Sequence, residues 1–250
     1  GDGTTCFQFE CDDIVCLAIA NVNTSAGSLD VYMTNQAGCS FCTDNTFGSL
    51  ELCENFGIDD GGEGAAWIMD TDMNELNCEA ANGSWFDGEV GGFQFQLLGI
   101  AVTGANGGSV EDEGFFVSIS ETTYNEVTDT QIPSVMAFSL SGATIPPGEG
   151  RLLTQVTFSN FEGEDICFGV DVGPSGANAV SASDGGYVNE DWGDCYCALE
   201  LDECGVCGGD GMTECPDGSM VCDVTDCVDE PSEDPFTYTQ SPLQAFYLFN

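Results

Sequence analysis

The chain is almost without basic residues. Its 250 residues contain one arginine, Arg151, and no lysine or histidine, against 44 acidic residues, for a formal net charge of −43. The missing side chains exclude a histidine general base, a Schiff-base lysine, a phosphate-binding lysine and imidazole metal ligands. Nucleic acid and anionic membrane surfaces are poor partners, because phosphate is neutralised by several lysines and arginines. We predict that the chain is not an enzyme.

Long apolar runs are also missing. No stretch is long enough to span a membrane, and no signal-peptide pattern stands at Gly1. We therefore expect no membrane insertion, and we expect the numbering to begin at a mature or truncated end. No segment carries the 3.6-residue apolar period of an amphipathic helix, so helices should be short and few. No organic cofactor is expected.

Cysteine, by contrast, is abundant. The chain has 15 cysteines, a number that indicates disulfides in an oxidising compartment and a secreted, extracellular or cell-surface protein. The odd count leaves at least one thiol outside the intramolecular pairs, and spacing does not reveal the connectivity. Asn23 and Asn82 begin two sequons that would be glycosylated in a eukaryotic secretory pathway.

The apolar pattern predicts an all-β fold. Short segments with period-2 alternation, such as Leu29, Val31 and Met33 or Phe93, Phe95 and Leu97, recur between Gly- and Pro-rich turns. Strands spaced in this way are typical of a β-sandwich. We assign residues 1–35 and 90–185 to the sandwich and the cysteine-containing segment 36–89 to a disulfide-stapled insertion.

The C-terminal part differs in composition. Residues 186–230 form a cysteine-rich, acidic region in which disulfides would replace an apolar core. Residues 231–250 are a linker followed by an aromatic strand that is apolar on both faces and requires burial on two sides. This strand could complete its own sandwich, complete the sheet of a neighbouring copy, or begin a further module. Its apolar residues are Phe236, Tyr238, Leu243, Phe246, Tyr247, Leu248 and Phe249.

Several of these segments resemble a known family. Gly27–Asn35, Val90–Gln96, Gly114–Val117, Met136–Gly142 and Ile145–Leu153 are similar to the strands of cohesin-like modules in secreted proteins of aquatic microbes. Asp202–Gly211 resembles the acidic Cys/Gly spacers of such proteins. The resemblance implies a cohesin-like or jelly-roll β-sandwich with segment 36–89 inserted in it. Because this fold supports adhesion, carbohydrate binding and scaffolding, it implies no single function.

The sequence contains a candidate calcium site, a candidate zinc site and candidate catalytic carboxylates. Each has a simpler explanation: a solvated acidic turn, disulfides and surface charge, respectively. Asp70, Asp72 and Asn74 place oxygen ligands at alternate positions, as a calcium-binding loop does, although the glycine and distal glutamate of an EF-hand are missing. Zinc is disfavoured, because Cys204 and Cys207 form an isolated CxxC pair and histidine is absent. Paired carboxylates could hydrolyse glycosides, but no pair stands out among 44 acids. Calcium is the one cofactor we expect.

The sequence favours a structural role. We predict a protomer of an extracellular fibre, a homopolymer assembled head to tail partly by strand donation from 236–250. The alternative is a carbohydrate- or protein-binding adhesion module of a larger surface protein, in which Trp67, Trp85 or Trp192 could stack on sugars. Its partners would then be glycans or other proteins rather than copies of itself.

Overall fold

A computed structural model describes residues 11–227, apart from residues 12, 59–63, 121–123, 126–129, 162, 164, 171 and 174–175. The chain divides into two compact units, Gly1–Leu199 and Glu200–Asn250. None of the helices in the described part is long and apolar enough to cross a membrane. The predicted assembly strand, 236–250, lies outside the described residues.

Strands dominate the first unit, and the helices are short, as predicted. The strands of the first unit are β1 (Val15–Asn23), β2 (Ser28–Asn35), β3 (Gly38–Cys42), β4 (Trp67–Asp70), β5 (Ser84–Phe86), β6 (Val90–Leu98), β7 (Ala101–Asn106), β8 (Phe116–Ser120), β9 (Tyr124–Asn125), β10 (Thr130–Gln131), β11 (Ser134–Phe138), β12 (Gly148–Ser159), β13 (Asp165–Phe168), β14 (Ala179–Ala182), β15 (Tyr187–Val188) and β16 (Tyr196–Cys197). The helices of this unit are α1 (Leu50–Phe56), α2 (Glu75–Ala80) and α3 (Gly108–Asp112).

The first sheet of the sandwich has four antiparallel strands in the order β1-β2-β12-β7. Its inner face carries the alternating residues of β2, and Leu29, Val31 and Met33 are all buried. The only basic residue, Arg151, lies on β12 opposite Met33, and its guanidinium donates to the carbonyls of Pro146 and Pro147 at 3.2 and 2.7 Å. It thereby ties the preceding Pro-rich turn to the sheet.

The second sheet contains β15-β14-β6-β11-β8; β13 also pairs with β6, and β16 pairs with β13. Phe93 and Phe95 point into the core, stacked with ring centroids 5.9 Å apart, and Phe168 meets Phe95 edge to face at 5.6 Å. One hydrophobic cluster contains these rings together with residues of the first sheet, such as Leu17 and Val156. Two sheets that share one core form a sandwich, so the predicted all-β sandwich is confirmed.

The outer face of β6 is less exposed than its polar residues suggest. Gln96 is 0% exposed, and its side-chain amide donates to the Ile132 carbonyl at 3.3 Å. Its backbone N–H donates to Asn178 Oδ1 at 2.8 Å, and Asn178 in turn donates to the Gly169 carbonyl. Gln94 donates to the Gly176 carbonyl at 2.6 Å. A buried glutamine is tolerated because its polar atoms find partners in this segment.

Segment 36–89 has a small sheet of its own, in the order β4-β3-β5, with α1 and α2 beside it. The Cys39–Cys78 disulfide joins β3 to α2, and Cys42–Cys53 joins β3 to α1. The segment leaves and rejoins the sandwich at one point, where the buried Asn35 side chain donates to the Gly88 carbonyl at 2.6 Å. It lies directly on the sandwich, since a Cβ at Gly38 would stand 2.4 Å from Ile14 Cγ2.

The first unit continues past the change of composition at residue 186. Val188 pairs with Val180, Trp192 is buried against Phe168 with ring centroids 5.1 Å apart, and Cys195 is bonded to Cys167. Residues 187–197 therefore belong to the sandwich by packing, although their cysteine content resembles that of the segment that follows. The boundary between the units lies at Leu199.

The second unit consists mainly of loops. Its regular elements are β17 (Thr213–Glu214), β18 (Met220–Val221) and a 3₁₀ turn at Val224–Asp226, and Cys204–Cys222 and Cys215–Cys227 cross-link it. Asp202 organises one loop by accepting from the backbone N–H groups of Val206, Gly211 and Cys204, which lowers the pKa of its carboxyl.

Every cysteine in the described part of the chain is disulfide-bonded, and Cys6 lies outside it. The predicted disulfides are confirmed for these residues. A density of this kind is typical of proteins that fold in an oxidising compartment and are secreted or displayed at the cell surface.

Candidate functional site

Two features of the first unit stand out from the ordinary surface of a sandwich. One is the edge of the second sheet at β8, which we call the β8 edge and define by β8 with Met136 and Phe138. The other is a cavity between the inserted sheet and the β14–β15 hairpin, which we call the aromatic cavity.

The β8 edge exposes apolar side chains beside a strand that ends its sheet. Within the described residues, β8 pairs with β11 alone. Phe116 is 51% exposed and Met136 is 38% exposed, and the rings of Phe116 and Phe138 lie 5.6 Å apart on the outer face. A sheet edge with this character is a template for an added strand unless it is covered.

The other described edges are less suited to accept a strand. Beside β1, the backbone of Asp191 donates to Val15 and accepts from Leu17, both at 2.8 Å, so that edge is partly occupied. The edge strand β15 has two residues. At the β7 edge, the outward residue Thr103 is polar. The β8 edge is therefore the best acceptor among them.

The aromatic cavity has a volume of about 460 Å³. This volume falls in the range of about 300–1,000 Å³ that is usual for small-molecule sites. Its walls come from β3–β5, the start of α1 and the β14–β15 hairpin, and Ile14 lies at the junction with the sandwich. The aromatic residues that line it are Trp67, Trp85, Phe86 and Tyr187.

Strand register brings the key residues of the cavity to one face of the inserted sheet. Ser40 and Cys42 lie on the same side of β3, Trp67 is directly opposite Cys42, and Ser84 is directly opposite Ser40. The Cys42–Cys53 disulfide holds α1 over this face. The sheet thus presents an indole and a buried hydroxyl to the same space.

Two partly buried carboxyls, Asp13 and Glu190, stand beside the cavity. Burial raises the pKa of Glu190 to about 8, and the charge of Asp13 raises it further. The indole N–H of Trp192 donates to Glu190 Oε1 at 3.1 Å, and this hydrogen bond lowers the pKa. Burial also raises the pKa of Asp13, with a contribution from Asp191. Burial and the Glu190 charge raise the pKa of the Tyr187 hydroxyl above its usual range. Desolvation thus moves the pKa of Glu190 far above that of an ordinary carboxyl.

The predicted calcium ligands lie together in the turn between β4 and α2. Asp70 Oδ1 accepts from the backbone N–H groups of Asp72 and Met73 at 2.8 and 3.0 Å, and Asn74 Oδ1 caps α2 by accepting from Asn77 at 3.0 Å. No cluster of three or more His, Cys, Asp or Glu side chains among the described residues could hold a metal ion. The calcium site stays a prediction.

Calcium at this turn would raise the thermal midpoint of the chain, because an ion that binds only the folded state stabilises it. We expect Asp72→Asn to reduce that calcium-dependent increment, measured by calorimetry with calcium and with EDTA. Asp112→Asn, an exposed substitution on α3, changes the net charge equally and should leave the increment intact. Equal increments in the two variants would contradict binding at this turn.

Both predicted glycosylation residues are exposed. Asn23 ends β1 and caps the following turn by accepting from the Ala26 N–H at 2.9 Å, and Asn82 follows α2 with a left-handed φ of 56°. Their modification stays a prediction. Of the three tryptophans proposed as sugar-stacking residues, Trp67 and Trp85 line the aromatic cavity, whereas Trp192 belongs to the core.

Sequence reasoning missed Ser40, Tyr187 and Glu190. Nothing in their sequence neighbourhoods distinguishes them, because segments far apart along the chain create their environment. Trp67 and Trp85 are visible as aromatic residues in the sequence, but their common cavity is not.

Comparison with known proteins gives only distant similarity, and it is a similarity of fold. No protein-family model matches the chain, and no curated protein matches it. A chain of a type I cohesin–dockerin complex from Clostridium thermocellum is similar at 13% identity and a TM-score of 0.34, over 72% of this chain and 94% of that chain. The match agrees with a cohesin-like sandwich only distantly and is too weak to carry a function.

Proposed function

We propose that the chain is a structural protomer of an extracellular fibre, joined head to tail partly by residues 236–250. The observation that carries the proposal is the β8 edge, where a sheet ends beside the exposed Phe116 and Met136. A segment that extends a sheet edge gains main-chain hydrogen bonds, and neighbouring apolar side chains select its residues. We assign the β8 edge of the next copy as its acceptor.

The chemistry of segment 236–250 matches this acceptor. Phe236 and Tyr238 alternate with threonines, and Phe246–Phe249 are apolar on both faces. Such a strand is stable when side chains cover both of its faces. The outer rings of Phe116 and Phe138 offer apolar contact on one face of an added strand.

The composition is consistent with an assembled, durable material. Head-to-tail contacts do not close on themselves and so generate an open filament. The formal charge of −43 per copy would oppose lateral association of filaments, and screening over about 8 Å at physiological salt would reduce this repulsion. Divalent cations such as calcium would allow bundles to form.

Deletion of 236–250 tests the proposal. The truncated chain should remain a folded monomer, because the core of the sandwich contains residues of the described strands. Size exclusion should show monomers, negative-stain microscopy should show no filaments, and the thermal midpoint should be unchanged. Added to full-length protein, the truncated chain should shorten filaments, since it can accept a strand but cannot donate one.

Two further variants make this experiment specific. The double variant Phe116→Ser, Met136→Ser keeps the donor segment and alters only exposed side chains, so it should fold but fail to polymerise. Thr237→Ser preserves the apolar residues of the segment and should polymerise normally. Filaments formed by the truncated chain would contradict strand donation. If the truncation instead lowers the stability of the chain strongly, residues 236–250 complete the sandwich of their own chain.

The adhesion-module alternative predicts that the full-length chain is itself a monomer.

A further inference from the structure

We propose that the aromatic cavity is a binding site for neutral carbohydrate, a ligand that presents hydroxyl groups and an apolar ring face. The inference is independent of fibre assembly, because the cavity lies within one copy of the chain, away from the β8 edge. A polymer and a monomer would each carry the site.

The strongest indication is a pair of buried polar atoms without partners. Ser40 is 3% exposed, and neither its Oγ nor the Nε1 of Trp67 has a hydrogen-bond partner. Folded proteins pair nearly all such groups, and leaving one unpaired costs about 1–3 kcal/mol. Both residues line the aromatic cavity, although the two atoms themselves are closed to solvent in the free chain. A molecule bound in the cavity would become their hydrogen-bond partner once neighbouring side chains move aside.

The chemistry of the two atoms restricts the ligand. An indole N–H can only donate, so the ligand must offer an acceptor to Trp67, whereas the Ser40 hydroxyl can donate or accept. A sugar hydroxyl meets both requirements. A bare metal cation fails the first, because it cannot accept the indole hydrogen bond.

The remaining lining residues favour a ligand that is neutral and partly apolar. Ile14, Phe86 and Val188 offer buried apolar surface. Glu51 and Asp184 are the charged lining residues, and both are exposed at the rim. These carboxylates would repel a sulfated or carboxylated glycan, and no lining residue is basic to offset that repulsion. Neutral sugars combine hydroxyl groups with the C–H faces that pack on aromatic rings.

The probe is a panel of neutral mono- to tetrasaccharides, with a sulfated oligosaccharide and a simple aliphatic alcohol as comparators. Binding to the full chain is measured by titration calorimetry and by the change in tryptophan fluorescence. We expect at least one neutral saccharide to bind at millimolar concentration or tighter, and we expect the sulfated probe and the alcohol to bind more weakly.

Two substitutions separate the hydrogen bonds from the shape of the cavity. Ser40→Ala removes one hydroxyl and retains the packing, so it should weaken binding by about tenfold, the loss of one hydrogen bond. Trp67→Phe removes the indole N–H together with part of the ring that packs on Cys42, Cys53 and Ala65, so it should weaken binding at least as much. Phe116→Ser, outside the cavity, should bind as the unaltered chain does. Thermal unfolding of each variant reports on folding, and Ser40→Ala, the smaller change, keeps the test valid if Trp67→Phe unfolds.

The outcomes that overturn the proposal are specific. They are the absence of binding by every neutral saccharide, equal binding by Ser40→Ala and the unaltered chain, and preference for the sulfated probe or the alcohol. Ordered water on both polar atoms, together with no saccharide binding, would make the cavity a hydrated packing defect. Loss of polymerisation in Phe116→Ser, Met136→Ser with intact saccharide binding would support both proposals independently.

Discussion

Removal of the Cys39–Cys78 disulfide by paired alanine substitution is expected to lower the free energy of unfolding by about 4 kcal/mol. The bond closes a loop of 39 residues, the largest sequence separation among the disulfides whose geometry is described. A cross-link stabilises chiefly by restricting the unfolded chain, and the restriction grows with loop length. Calorimetry or denaturant unfolding would measure the loss.

The Cys42–Cys53 pair provides the matched comparison. It lies in the same inserted segment and starts from the same strand, β3, but its separation is 11 residues. Its removal should cost about 3 kcal/mol, less than removal of Cys39–Cys78. A larger loss from removal of Cys42–Cys53 would show that packing of α1, rather than loop length, governs the stability of the segment.

Either double variant should also weaken saccharide binding at the aromatic cavity, because both disulfides hold β3 in place.

Replacement of Glu190 with glutamine is expected to remove a pH dependence of stability on the order of 3 kcal/mol between pH 5 and pH 8. Burial raises the pKa of this carboxyl from 4.5 to about 8. The unfolded chain therefore releases the proton at a lower pH than the folded chain does. Between these values the folded state binds more protons, so the free energy of unfolding falls as the pH rises. Glutamine does not titrate and cannot contribute this slope.

The measurement is chemical denaturation of both chains across this pH interval. The difference in unfolding free energy between Glu190→Gln and the unaltered chain should grow toward alkaline pH. Glu111→Gln, exposed on α3, removes the same charge and should show only the small effect of reduced overall repulsion. Parallel curves for Glu190→Gln and the unaltered chain would mean that Glu190 is ionised in the folded state.

The strands of the sandwich could be predicted because their signal is local. Leu29, Val31 and Met33 alternate with polar residues, and a strand turns such alternation directly into one buried face. The same rule is incomplete for β6, where Gln96 lies on the nominally polar face yet is fully buried. The segment that covers it contains Asn178, 82 residues away along the chain. Alternation carries no information about a covering segment at that distance.

The aromatic cavity could not be predicted for a related reason. The tryptophans are visible in the sequence. Whether the Ser40 hydroxyl finds a hydrogen-bond partner depends on every group around it, and those groups come from the inserted sheet and the β14–β15 hairpin. The raised pKa of Glu190 likewise depends on burial beside Trp192 and Asp13. Desolvation is a property of position in the fold, and chemically identical carboxyls such as Glu51 and Glu111 are exposed.

The sequence by itself determined the chemistry that this protein can use and the class of its fold. Near-absence of basic residues, abundant cysteine and period-2 alternation are properties of composition and of neighbouring residues, which no tertiary arrangement alters. The tertiary structure decided which cysteines pair, which sheet edge stays exposed at β8 and which polar atoms are left buried at Ser40 and Trp67. Each of these depends on contacts between residues distant along the chain, because disulfide geometry, strand order and desolvation are set by folding as a whole.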